Sequence, residues 1–280
     1  MRCQVDDVSV YYEQAGAGHP LVFLHGWSLD HRYEQIEYEP IFAARPGWRR
    51  IYLDLPGMGQ TSAPGWMTNL DQMLAVVLKV IDHVLPHQRF AIAGTSAGAY
   101  LARGVVYHKR ALLTGALFRV PLVIPDYTRR TLPEAHPLIE NPTVLATLTP
   151  DEAAELRPLL VQTPAFLARL RSKVRTAIRP AQQTANRDLL DRITQNPRTY
   201  TFSFDIDDPR IVCGAPALFV LGRQDIAVGY RDAWAMLERY PRATFIVLDR
   251  ADHLLPIEQE AVFQVLVNDW LDRVEEYARA

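Results

Sequence analysis

Short apolar runs rich in β-branched and aromatic side chains punctuate the chain at residues 8–12, 21–24, 51–53, 90–93, 112–118, 218–221 and 245–248. They read as mostly buried strands. Between them apolar residues return at helical spacing, as Leu70, Met73, Leu74, Val77, Ile81 and Val84 do in one stretch and Phe263, Leu266, Val267, Trp270, Leu271 and Val274 in another. Strands that can face water on neither side need helices over both faces, so the alternation predicts a largely parallel sheet sandwiched by helices.

The alternation stops after Phe118, and residues 121–204 hold no comparable strand run but several helix starts. In Thr149-Pro150-Asp151-Glu152 the threonine is placed as N-cap, the proline at the first helical position and the glutamate to complete a capping box. Thr163-Pro164 repeats the device, and Pro180 is expected to close the helix it opens. Strand alternation resumes at Ala217, so residues 121–204 read as a helical insertion, placed as a lid, into an α/β core made of residues 1–120 and 205–280. No internal repeat or low-complexity segment interrupts this plan.

At 280 residues, 49% of them hydrophobic, the chain can bury a full α/β core. Thirty basic against 32 acidic residues give a net charge of -2, which argues against nucleic acid as a partner. Cys3 and Cys213 stand far apart without a C-x-x-C neighbour, so they suggest two buried thiols and no disulfide framework or zinc site. The first residues lack the apolar core of a signal peptide, and no stretch is long enough to span a bilayer. A cytoplasmic protein with no membrane partner is the expectation.

The candidate chemistry centres on Gly94-Thr95-Ser96-Ala97-Gly98, where the strand at 89–93 gives way to a helical pattern at 99–107. A serine flanked by glycines at a strand-to-helix turn has the spacing of a nucleophile elbow, which projects the hydroxyl above the sheet edge. A serine hydroxyl is a poor nucleophile unless a histidine takes its proton and a carboxylate orients that histidine. Both occur downstream, Asp225 after the run 218–221 and His253 after the run 245–248. Each of the three lies just past the C-terminal end of a predicted parallel strand, the edge where open α/β sheets bind ligands. Asp252 adjoins His253, but sequence neighbours seldom aim their side chains at one another, so Asp225 is the better orienter. Asp54 sits in a turn rich in Gly and Pro and reads as its anchor; Asp30 lies on a loop at the same edge.

The order Ser96, Asp225, His253, together with His25-Gly26-Trp27 and Asp54-Leu55-Pro56-Gly57-Met58-Gly59, resembles the α/β-hydrolase family, in particular its cap-bearing serine hydrolases of the esterase, lactonase and haloperoxidase branch. The resemblance implies a mostly parallel eight-stranded sheet flanked by helices, with a helical cap inserted after the sixth strand. It also implies an oxyanion hole built from the backbone N–H groups of Trp27 and Ala97, with His25 anchoring the first of these loops. Neither a metal nor an organic cofactor is required. The implied reaction cleaves an ester-like bond of a small or medium acyl substrate through an acyl-enzyme that water resolves. Some relatives carry the acid after the sixth strand; this chain has Phe118-Arg119-Val120-Pro121 there.

The serine separates the chain from dehalogenase and epoxide-hydrolase relatives, whose elbow nucleophile is an aspartate. Carbon–carbon bond hydrolysis and acyl transfer remain open on the same residues, as does a hydrolase-fold receptor that turns over slowly or not at all. Tyr100, Trp66 and Trp27 could line an acyl pocket, though packing explains each as well. Arg169, Arg171, Lys173, Arg175 and Arg179 crowd one cap helix. A solvated face accounts for them, and the sharper reading turns one arginine inward to receive a carboxylate-bearing substrate. Oligomeric state is not legible.

Overall fold

One eight-stranded sheet organises the computed structural model, which describes residues 1–134, 136–155 and 160–280. Its strands are β1 Arg2–Val5, β2 Val8–Ala15, β3 His19–Leu24, β4 Trp48–Leu53, β5 Phe90–Thr95, β6 Leu113–Arg119, β7 Ala217–Gly222 and β8 Ala243–Leu248. They lie in the order β1-β2-β4-β3-β5-β6-β7-β8, antiparallel from β1 to β4 and parallel from there on. Every residue of β5, β6 and β7 is buried, as a sheet covered on both faces requires. All seven apolar runs are strands. β1 is an addition: four residues long, it turns only Cys3 and Val5 inward, too short an alternation to stand out.

Helices α1 His31–Phe42, α2 Leu70–Val84 and α3 Ala97–Lys109 connect β3, β4, β5 and β6 in turn. Between β6 and β7 come α4 Pro142–Leu145, α5 Pro150–Glu155, α6 Pro164–Lys173, α7 Arg179–Thr184 and α8 Arg187–Thr194, and after β8 come α9 Leu255–Glu258 and α10 Glu260–Arg279. The α5 capping box forms: Thr149 N–H donates to Glu152 Oε2 (3.0 Å) while Glu152 N–H donates to Thr149 Oγ1 (3.2 Å). Pro180 does not close the helix begun at Thr163. A π-helical turn over Val174–Ile178 widens the spiral just ahead of the proline, and the helix runs on through α7. A proline has no N–H to donate and crowds the carbonyl four residues back, so the widened turn relieves both defects.

The main core runs through both faces of the sheet, with α2 against α3 and α1 against α10. A second, smaller cluster gathers Val144, Leu160, Val161, Phe166, Leu167, Leu170 and Val174 from the segment between β6 and β7 around Ile257 of α9. Leu189, Leu190, Ile193, Tyr200 and Phe202, from later in the segment, instead join the main core. Cys3 and Cys213 are free and buried. Among the described residues no helix is long and apolar enough to cross a membrane.

Candidate active site

The strand order reverses at β3: the chain crosses to β4 on one side and returns to β5 on the other. Such a reversal opens a crevice at the carboxyl ends of the two strands. Gly26 and Trp27 follow β3 there, and Ser96 follows β5. Ser96 has φ +54° and ψ -118°, a conformation that non-glycine residues rarely hold. Its neighbours enforce it. Ser96 N–H donates to Arg119 O (3.0 Å), and Ser96 O accepts from the N–H groups of Ala99 (3.0 Å) and Leu122 (3.1 Å). A Cβ at Gly94 would lie 2.5 Å from Gly98 O, and one at Gly98 would lie 2.2 Å from Leu24 O and 2.3 Å from His25 O. Both glycines are therefore demanded by close backbone approach.

A serine in front of a helix ordinarily turns its hydroxyl onto the first-turn N–H groups. Ser96 stands in front of α3 at positive φ and makes no such bond, and the residue is only half-buried.

Asp225 follows β7 and is fully buried. Its Oδ1 accepts from Ala227 N–H (2.8 Å) and Val228 N–H (3.0 Å), which leaves Oδ2 for His253 Nδ1 at 2.8 Å. Gly222 lets the two loops meet, because a Cβ there would lie 2.5 Å from both Ala251 O and Asp252 O. Burial works against a charged His253, but the Asp225 carboxylate outweighs it and holds the imidazole pKa above the ordinary histidine value. With Nδ1 committed to Asp225, Nε2 is the nitrogen left for other work. It makes no hydrogen bond to the Ser96 hydroxyl in this structure, and such contacts are often long until a ligand is bound. Asp252 faces elsewhere: its carboxylate accepts Leu254 N–H (2.7 Å), and its own N–H donates to Glu258 Oε2 (2.6 Å). Burial and the nearby Asp252 raise the pKa of Glu258 strongly.

His25 is an anchor. It accepts Leu55 N–H on Nε2 (3.0 Å), so its Nδ1 carries the proton and donates to Gly26 O (2.8 Å). That fixes the loop in which a Cβ at Gly26 would lie 3.5 Å from Ser96 Cβ. Among the described residues nothing accepts the N–H of Trp27 or of Ala97, so two free donors flank Ser96, one of them at the positive end of α3. Trp27 packs edge-on against Tyr200 (5.1 Å between centroids), and Tyr100 stacks on Phe202 (4.7 Å). Trp66 is 43% exposed and bonds Asp7, away from the site.

Asp30, His31 and Asp54 come within 4.8 Å of one another, close enough for a metal ion. Their bonds read as structural instead. Asp54 accepts His31 N–H, His31 Nδ1 and Gln60 N–H, each at 2.8 Å, and Asp30 caps α1 and pairs with Arg32. In the basic helix α6 Lys173, not an arginine, turns inward; it pairs with Glu37 and lies 3.6 Å over the Tyr33 ring. Arg171 pairs with Glu152 (2.7 Å). Sequence reasoning missed Arg119, which is fully buried in an ion pair with Glu34 (2.9 Å) beside the Ser96 turn. A lone arginine at a strand end carries no signal of its distant partner.

A sequence model described as the alpha/beta hydrolase family matches residues 21–265. The AB hydrolase superfamily protein YisY of Bacillus subtilis is 30% identical over 125 residues, and a non-heme haloperoxidase of Rhodococcus erythropolis is 26% identical over 117. These matches span less than half of either relative, 46% and 42%, and 45% and 40% of this chain. A 2-hydroxy-6-oxononadienedioate/2-hydroxy-6-oxononatrienedioate hydrolase of Paraburkholderia phymatum is 26% identical over 286 residues, covering 95% of this chain and 91% of that one. Among solved structures, an alpha/beta superfamily hydrolase from Oenococcus oeni superposes with a TM-score of 0.81 at 24% identity, over 98% of this chain and 99% of the other.

Proposed function

The chain belongs to the alpha/beta hydrolase family, and from that premise we propose that it is a serine hydrolase cleaving an ester-like bond of a small or medium acyl substrate. The observation that carries this reading is the convergence of a strained, uncapped Ser96 and an Asp225-bound His253 at one sheet edge. In the first half-reaction Ser96 Oγ attacks the substrate carbonyl carbon as its proton passes to His253 Nε2. The carbonyl oxygen becomes the oxyanion and is received by the Trp27 and Ala97 N–H groups. Collapse of the intermediate breaks the bond to the leaving group, which takes the proton from His253, and leaves the acyl group on Ser96. Water then repeats the sequence, its proton going to His253 and its hydroxyl to the acyl carbon, and Ser96 leaves with a proton restored. Asp225 keeps Nδ1 protonated and steadies the imidazolium between steps.

In this reading residues 121–204 form a cap over the edge and residues 1–120 and 205–280 the catalytic core. The relative matched over 95% of this chain favours a second reading, in which an oxo-dicarboxylate is cleaved by the same three residues. A panel of p-nitrophenyl esters, thioesters, lactones and an oxo-dicarboxylate, assayed beside Ser96→Ala, tests both. Hydrolysis of at least one compound, abolished by the substitution, is expected; activity that survives in Ser96→Ala refutes the reading.

A further inference from the structure

We propose that Arg119 is a positioning residue for the Ser96 turn: clamped between Glu34 of α1 and Thr95 at the end of β5, it fixes the strand end from which Ser96 departs. The inference rests on Ser96 being the nucleophile. Arg119 reaches the turn in two ways. Its carbonyl accepts Ser96 N–H (3.0 Å), and its Nε donates to Thr95 Oγ1 (2.9 Å), the side chain one residue before the serine. From the other side its Nη2 donates to both carboxylate oxygens of Glu34, at 3.0 and 2.9 Å. The guanidinium lies 5.3 Å from the Tyr33 ring centroid, 5.4 Å from that of Tyr38 and 5.7 Å from that of Phe263, and its Nη1 is buried without a hydrogen-bond partner.

Stability alone does not account for this arrangement. An enclosed ion pair is often no better than apolar side chains of the same volume, and an unpartnered buried nitrogen adds to its cost. What the pair does supply is geometry. A serine held at φ +54° stays there only if its surroundings over-determine it, and the clamp immobilises the residue before Ser96 and the strand beside it.

The test measures covalent labelling of the full chain by a neutral alkyl fluorophosphonate, separating the maximal labelling rate from the half-saturating probe concentration, with melting temperatures in parallel. The variants are Thr95→Val, Arg119→Lys, and Arg119→Met combined with Glu34→Gln, which leaves no stranded charge. Thr95→Val and the double variant are expected to lower the maximal rate about tenfold while half-saturation stays within about twofold. Arg119→Lys, which keeps a cation opposite Glu34, is expected to lose less of the maximal rate than the double variant. If the double variant does not fold, Thr95→Val decides alone. An unchanged maximal rate in folded variants, with only the melting temperature lowered, would reduce Arg119 to a structural ion pair and overturn the proposal. Absence of labelling in the wild-type protein, or labelling that persists in Ser96→Ala, would instead remove the nucleophile reading beneath it.

Discussion

Replacing Asp225 by Asn changes one atom at the most constrained point of the site. Oδ1 of Asp225 is held by two backbone donors, Ala227 N–H at 2.8 Å and Val228 N–H at 3.0 Å, and Oδ2 receives His253 Nδ1 at 2.8 Å. An asparagine satisfies the two backbone donors only by keeping its oxygen in the Oδ1 place, which turns its NH2 toward His253. Nδ1 must then accept, so the ring proton moves to Nε2, the nitrogen that has to take the serine proton. A base in the wrong tautomer, with no carboxylate to steady its cation, costs about 10,000-fold in turnover, or about 5 kcal/mol in barrier height. Substrate binding changes little. Stability falls by about 1–3 kcal/mol, the cost of exchanging charge-assisted bonds for neutral ones in a buried site. The pH profile moves as well: burial lowers the His253 pKa and Asp225 raises it, so without the carboxylate the acid limb of the residual activity shifts to lower pH. Steady-state hydrolysis of a p-nitrophenyl ester across pH, with urea unfolding followed by circular dichroism, reads these effects. Turnover within about tenfold of wild type, or an acid limb that moves upward, would refute the reasoning.

Two further substitutions probe the frame around the site. Glu258 has a raised pKa in the folded protein, so the native state keeps a proton that the unfolded chain has released; this contribution to stability is complete below about pH 4.5 and disappears as pH rises through about 9. Glu258→Gln keeps an acceptor for Asp252 N–H without that linkage, and its melting temperature should gain on wild type steadily across this window; parallel curves would contradict the assignment. Gly98→Ala places a methyl group 2.2 Å from Leu24 O and should cost ~3 kcal/mol or more together with all labelling of Ser96, whereas a loss below about 1 kcal/mol in urea unfolding would show that the elbow is looser than described.

The strands and the candidate residues on their ends were legible because fully buried parallel strands leave continuous apolar runs, and because such a sheet gathers its carboxyl ends on one edge. That is how Ser96, Asp225 and His253, spread over more than half the chain, could be assigned to one place. Buried polar pairs were not legible. Arg50 lies in β4 and is nearly buried against Glu39, yet in sequence it reads as an exposed charge and shortened the predicted strand to its apolar end. Arg119 with Glu34 and Lys173 with Glu37 have the same character, since nothing local announces a partner on another element. Pro180 misled for a different reason. The rule that proline ends a helix assumes a regular α-helix before it, and the π-helical turn ahead of Pro180 removes that premise.

The central claim, that Ser96 is a nucleophile activated by His253 and Asp225, is tested most directly by intact-mass analysis after treatment with a fluorophosphonate. The account predicts a single adduct on the wild-type protein, mapped to the peptide containing Ser96, absent in Ser96→Ala and formed far more slowly in Asp225→Asn. A folded wild-type protein that stays unmodified, or one whose adduct persists in Ser96→Ala, would contradict it.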